Sequence, residues 1–82
     1  MLSLGYEPKF LSAVRKIKDQ STKKKVVKQI KKIVQDPEIG KPMRHTRKGT
    51  REVYIHPFRL SYAYKKEENK IIFLELYHKD KQ

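Results

Sequence analysis

The chain reads as an α+β domain: an N-terminal helical hairpin packed on one face of a small, mainly antiparallel twisted sheet. Three observations predict it. Apolar residues recur at helical spacing between Pro8 and Val34, the apolar period changes to two after Gly49, and the turn-rich segment PEIGKP at 37–42 separates the two regions. Two helices with one apolar stripe each need a surface to cover, and antiparallel strands supply it.

Leu2 to Tyr6 is a short opening strand. Glu7-Pro8 starts the first helix, because proline is tolerated at the first helical position. Phe10, Val14 and Ile17 then fall on one stripe. Asp19 to Thr22 breaks the helix, and Ser21 or Thr22 can cap the next one. In that second helix Val26, Val27, Ile30, Ile33 and Val34 form the apolar face. It should stop near Asp36, since Pro37 disfavours helical geometry in the residue before it.

In the first strand after the connector, Val53 and Ile55 point one way and Tyr54 and His56 the other, with Pro57 ending it or marking an edge. The next strand places Leu60, Tyr62 and Tyr64 on one face, with Arg59, Ser61 and Ala63 on the other. Tyr62 and Tyr64 therefore read as core. Lys66 to Asn69 is a polar turn into a hairpin strand over 70–78. Strict alternation there sets Ile72, Leu74, Leu76 and His78 against Ile71, Phe73, Glu75 and Tyr77. Both sets are largely apolar, which predicts a strand flanked on both sides.

Residues 1–82 make a single domain with a modest core. With 37% hydrophobic and 37% charged residues the chain is polar, yet its apolar residues are periodic, which argues against disorder. No cysteine is present, so disulfides and thiolate metal sites are excluded. No apolar run approaches bilayer length, and the N-terminus lacks a signal-peptide pattern, which predicts no membrane partner and a cytoplasmic location. The 21 Lys and Arg outnumber 9 Asp and Glu, for a net charge of +12. Such a field favours polyanionic or acidic partners. The helix lysines, Lys23 to Lys32, are read as a solvated polar face.

The functional signal lies in GKPMRHTRKGTR at 40–51, where Lys41, Arg44, Arg47, Lys48 and Arg51 accompany His45. This basic loop feeds strands that carry Arg59 and end in Tyr77-His78-Lys79. The order of PEIGKP, basic residues, a KG pair, FRLSYAY, a charged turn and IIFLELYHK resembles the RelE/ParE toxin superfamily over nearly the whole chain. The resemblance implies a toxin of a toxin–antitoxin pair, neutralised by an acidic antitoxin protein that wraps it. For the RelE branch it implies an endoribonuclease that cleaves mRNA, often on the ribosome, and so inhibits translation. For the ParE branch it implies poisoning of DNA gyrase, and a third reading is a degenerate member that only binds its antitoxin. Arg59 matches the family's arginine on the scissile phosphate. Tyr77 and His78 match the polar pair near the end of the last strand, which in some members includes the acid/base residue. Many members continue to a further tyrosine. This sequence ends at KDKQ, so the resemblance implies either that the activity is lost with that tyrosine or that Tyr77 does its job.

RNA can be cut without a metal or cofactor if a protein supplies a base for the 2′-OH, an acid for the departing 5′-oxygen and fixed positive charge for the transition state. Arginine suits the last role because its planar fork bridges two phosphate oxygens. An imidazole titrates near neutral pH and suits proton transfer. Arg59, His78 and Tyr77 are thus the catalytic candidates, with Arg59 and His78 expected to converge on one ribose-phosphate linkage. The alternative for Arg59 is a salt bridge to Glu75 or Glu52, and for His78 packing beside Leu76. Tyr77 can stack, transfer a proton or pack. Arg44, His45, Arg47, Lys48, Arg51 and Lys79 are expected to bind the RNA backbone, a contact that supplies affinity without sequence information. His56 is a weaker candidate, since His56-Pro57 reads as a turn. The acidic residues are scattered, and no His/Asp/Glu cluster has metal-ligand spacing.

Overall fold

The computed structural model describes residues 2–44 and 49–81. They form β1 (Ser3–Tyr6), α1 (Pro8–Lys16), α2 (Gln20–Gln35), β2 (Lys41–Pro42), β3 (Thr50–Ile55), β4 (Phe58–Lys65) and β5 (Lys70–His78), with short 3₁₀ turns after β4 and β5. The sheet order is β1-β5-β4-β3-β2. Every pair is antiparallel except β1 with β5, which is parallel. The expected helical hairpin on a mainly antiparallel sheet is what forms, and among the described residues no helix is long and apolar enough to cross a membrane.

Pro8 opens α1 after Glu7, and Arg15 and Lys16 lie in its last turn, where positive charge complements the helix dipole. Phe10 turns inward and packs with Phe73 of β5, their ring centroids 5.6 Å apart. The cap of α2 is Asp19, not Ser21 or Thr22 as the sequence suggested. Its carboxylate accepts hydrogen bonds from Ser21 N at 3.2 Å and Thr22 Oγ1 at 2.7 Å. The Thr22 hydroxyl and then the Ser21 amide hold that carboxyl below its ordinary 3.8. The buried face of α2 is narrower than its apolar residues suggested. Val26 and Ile33 are buried, whereas Val27, at the edge of the stripe, is exposed.

A bulge rearranges β5. Ser61 pairs with Glu75 but Tyr62 pairs with Phe73, so Leu74 is an extra residue without a partner on β4. Strict alternation is broken there. Ile71, Phe73 and Leu76 all join the helix-side core, together with Leu60, Tyr62 and Ile55. Glu75 and Tyr77 point to the uncovered face. At the β4–β5 turn, Asn69 adopts the left-handed conformation (φ 52°), which asparagine tolerates better than most residues.

Tyr62 is fully buried, and its hydroxyl reaches the connector between α2 and β2. It donates to the Pro37 carbonyl at 2.9 Å and accepts from Gly40 N at 2.9 Å. Glycine is required at position 40, because a Cβ there would sit 2.7 Å from the Tyr62 hydroxyl and 2.8 Å from Cε1 of its ring. Arg51 closes the same junction by donating to the carbonyls of Gly40 at 2.8 Å and Glu38 at 3.0 Å.

Burial pushes the Tyr62 phenol above its ordinary 10.0. Tyr62→Phe should cost about 1–3 kcal/mol in urea unfolding at neutral pH, because the buried Gly40 amide loses its acceptor. The folded protein holds the phenolic proton more tightly than the unfolded chain. Wild-type stability from this group is complete below pH 10 and is lost as pH rises through the higher folded-state value. The gap between wild type and Tyr62→Phe should therefore shrink above pH 10.

Candidate active site

The uncovered sheet face carries two rows of side chains set by strand register. One row is Tyr54, Arg59 and Tyr77 across β3, β4 and β5, and the next is Glu52, Ser61 and Glu75. Residues directly opposite in an antiparallel pair share a face. Glu52 is only 7% exposed, although it sits on the side that the helices leave open. Arg59 reaches diagonally to it, Nη1 lying 3.2 Å from Oε1. The Tyr77 hydroxyl donates to the other carboxylate oxygen, Oε2. Both oxygens of one buried carboxylate are thus occupied, one by a guanidinium and one by a phenol.

Tyr54 stands beside this triad, 47% exposed. The Arg59 guanidinium lies 5.7 Å and the Lys79 ammonium 5.8 Å from its ring centroid, within cation–π range. Its hydroxyl is hydrogen-bonded to His56 Nδ1 at 2.8 Å. An open cleft of about 580 Å³ runs over this face. Lys41 and Arg44 line it on the β2 side, with Glu52, Tyr54 and Arg59 on the sheet. Clefts of this size hold small ligands of nucleotide scale.

The structure brings Arg59, Tyr77, Lys79 and Arg44 to this face or its rim. It does not bring His78 there. His78 pairs with Phe58 and shares the helix-side face with Leu60 and Leu76, its ring edge-on to Phe58 at 5.8 Å. Its Nδ1 accepts from Asp80 N at 3.3 Å and lies 3.7 Å from the Asp80 carboxylate. The expected convergence of Arg59 and His78 is therefore not formed, because neighbours along a strand point to opposite faces. Arg51 is likewise turned away, with its guanidinium on the 38–40 connector carbonyls instead of the cleft. His45, Arg47 and Lys48 lie outside the described residues. Arg59 does form the ion pair with Glu52 that the sequence offered as its alternative.

Glu52 is a member of this site that the sequence offers only as a partner for Arg59, and Tyr54 carries no functional signal of its own. The strand pattern holds one clue: Glu52, Tyr54 and His56 alternate with Val53 and Ile55 and so share a face.

The family model for the ParE toxin of type II toxin–antitoxin systems, parDE, matches residues 4–82. The chain belongs to that family. Its fold is similar to a chain of the intact E. coli RelBE toxin–antitoxin complex, with TM-score 0.79 and 14% identity over 95% of this chain and 96% of that one. It is also similar to a chain of the RelBE2 toxin–antitoxin complex from Mycobacterium tuberculosis (TM-score 0.81, 20% identity, 95% and 98% covered). A third likeness is to the YoeB–YefM complex from Staphylococcus aureus (TM-score 0.77, 20% identity, 95% and 97% covered). At these identities the likeness is one of fold. No curated protein sequence matches the chain.

In this ParE-family toxin the phenol–carboxylate contact is measurable through stability. A double-mutant cycle of Glu52→Ala and Tyr77→Phe in urea unfolding should return a coupling of about 1.5–3 kcal/mol, the range for a hydrogen bond to a charged group. Additive losses would mean that the hydroxyl does not bond the carboxylate in solution.

Proposed function

We propose that this toxin is a metal-independent endoribonuclease that cuts mRNA, on the ribosome, through attack of a 2′-OH on the adjacent phosphorus. The observation that carries the reading is the Glu52 carboxylate, buried in a strongly basic chain and presented to a cleft beside Arg59. Glu52 takes the proton of the 2′-OH. The Arg59 guanidinium, part-exposed beside the cleft, supports the phosphate. Tyr77 holds the second carboxylate oxygen and so fixes which one faces the ribose. Lys41 and Arg44 add positive charge for the flanking backbone. DNA lacks the attacking hydroxyl, so this chemistry selects RNA.

The partner that restrains the toxin is an acidic antitoxin. The net charge of +12 supports this, as do the structural relatives, which include toxin–antitoxin complexes. A second reading, inhibition of DNA gyrase by docking, is favoured by the ParE family model and by the Glu52–Arg59 pair, which already neutralises the arginine.

Purified toxin should cleave mRNA carried by programmed ribosomes, at a rate that does not depend on added transition metals, and leave 2′,3′-cyclic phosphate and 5′-OH ends. Glu52→Gln and Arg59→Ala should each lower the rate at least about 100-fold, and a single 2′-deoxy residue at the cut site should block it. Intact RNA together with arrested gyrase supercoiling would establish the second reading instead.

A further inference from the structure

We infer that Tyr54 and His56 form the general-acid dyad of this site, Tyr54 giving its phenolic proton to the departing 5′-oxygen and His56 replacing it. The inference rests on the nuclease reading above and identifies the acid that reading lacks. His78 is on the far face, and the Tyr77 hydroxyl is committed to Glu52.

The geometry has three parts. Glu52 and Tyr54 lie two residues apart on one face of β3, and a strand advances about 3.3 Å per residue, so their Cα atoms are separated by about 7 Å. That spacing places a base and an acid on either side of one phosphate. Arg59 is the residue directly opposite Tyr54 on β4, and its side chain leans to Glu52, so its guanidinium lies between the two. His56, in the two-residue turn that follows β3, is exposed and bonded through Nδ1 to the Tyr54 hydroxyl.

The 2.8 Å contact between Tyr54 and His56 can run in either direction. When the ring is neutral with its proton on Nε2, Nδ1 accepts and the phenolic hydrogen is tied to it. When the ring is an imidazolium, Nδ1–H donates to the phenol oxygen and the phenolic hydrogen turns outward to the cleft. Only the second state is an acid. Among the described residues, the charged or titratable groups around the phenol are Arg59 on β4, Lys79 after β5 and His56 itself, with Glu52 on β3 and Lys41 and Arg44 on the β2 side lining the same cleft. The two cations that flank the Tyr54 ring stabilise the negative charge that develops on its oxygen as the proton leaves.

The step balances. The 2′-O–H proton goes to Glu52, the 2′-oxygen bonds phosphorus and the bond from phosphorus to the 5′-oxygen breaks. That oxygen takes the Tyr54 proton, and Nδ1–H of His56 reprotonates the phenol. Glu52 then loses a proton to water and His56 regains one. Tyr54 is the catalytic residue, and His56 is a positioning and proton-supplying residue that acts through it.

The test compares wild type, Tyr54→Phe, His56→Gln and Glu52→Gln on two mRNA substrates carried by programmed ribosomes: ordinary RNA, and RNA with sulfur in place of the 5′-bridging oxygen at the cut site, a leaving group that needs no acid. On ordinary RNA, Tyr54→Phe and His56→Gln should lose about 100-fold in kcat. His56→Gln should also change the shape of the pH–rate profile, which a merely structural role would leave unaltered. On the sulfur substrate both variants should return to the wild-type rate, while Glu52→Gln should not. If wild type cuts ordinary RNA and Tyr54→Phe cuts it equally well, the dyad is overturned and the nuclease reading stands. If Tyr54→Phe is slow on both substrates, its role is structural and the dyad is again overturned. If wild type cuts neither substrate, both readings fall.

Discussion

The buried phenol of Tyr62 is the contact on which the arrangement of the cleft depends. Its ring fills the centre of the core between helices and sheet, and its hydroxyl ties down both ends of the connector that leaves α2. Packing and polar anchoring therefore meet in one side chain. The ring is held by the apolar interior, and the hydroxyl satisfies a buried amide and a carbonyl that would otherwise be left unpaired. Because Gly40 carries no side chain, the backbone can come close enough to make that bond. Arg51 reinforces the junction from the neighbouring strand. The position of β2, and with it Lys41 and Arg44 along the cleft, follows from where this connector is pinned.

The opposite face of the sheet obeys a different logic. In a chain with net charge +12, one carboxylate is withdrawn from solvent and held by an arginine and a tyrosine. A buried charge is costly unless both its oxygens are satisfied. Here they are, by two strands that flank each other in the sheet. The pair also keeps the guanidinium oriented, since Arg59 has one end on Glu52 and its face against Tyr54. Rigid strands hold all these groups, so the site is set by register more than by loop conformation.

The likeness to RelE, YoeB and ParE structures extends over nearly the whole chain while sequence identity stays at or below 21% among them. A shared fold at such distance leaves chemistry to individual residues. The features that bear on chemistry in this chain are therefore its own: a glutamate paired with Arg59, an imidazole bonded to Tyr54, and a histidine at the end of β5 that faces the core side.

Much of the architecture was legible in the residues alone. Apolar spacing located both helices, Pro8 and Pro37 marked where one begins and the other stops, and the alternation of β4 placed Tyr62 inside and Arg59 outside. These are local properties, and period and steric limits act within a few residues. The rest depended on partners distant in the chain. The bulge at Leu74 exists only because β5 must match β4 in register, and it decides which of its residues reach the core. Arg51 and Arg59 look alike in sequence, yet one grips a connector and the other a buried carboxylate, because they project from opposite faces of paired strands. His78 and Arg59 fell apart for the same reason. Sequence determined both helices, the longer strands and which faces are apolar, whereas the pairing of strands added β2 within the 37–42 connector and decided which polar groups meet, since that choice is made by hydrogen-bond register between segments that sequence spacing does not relate.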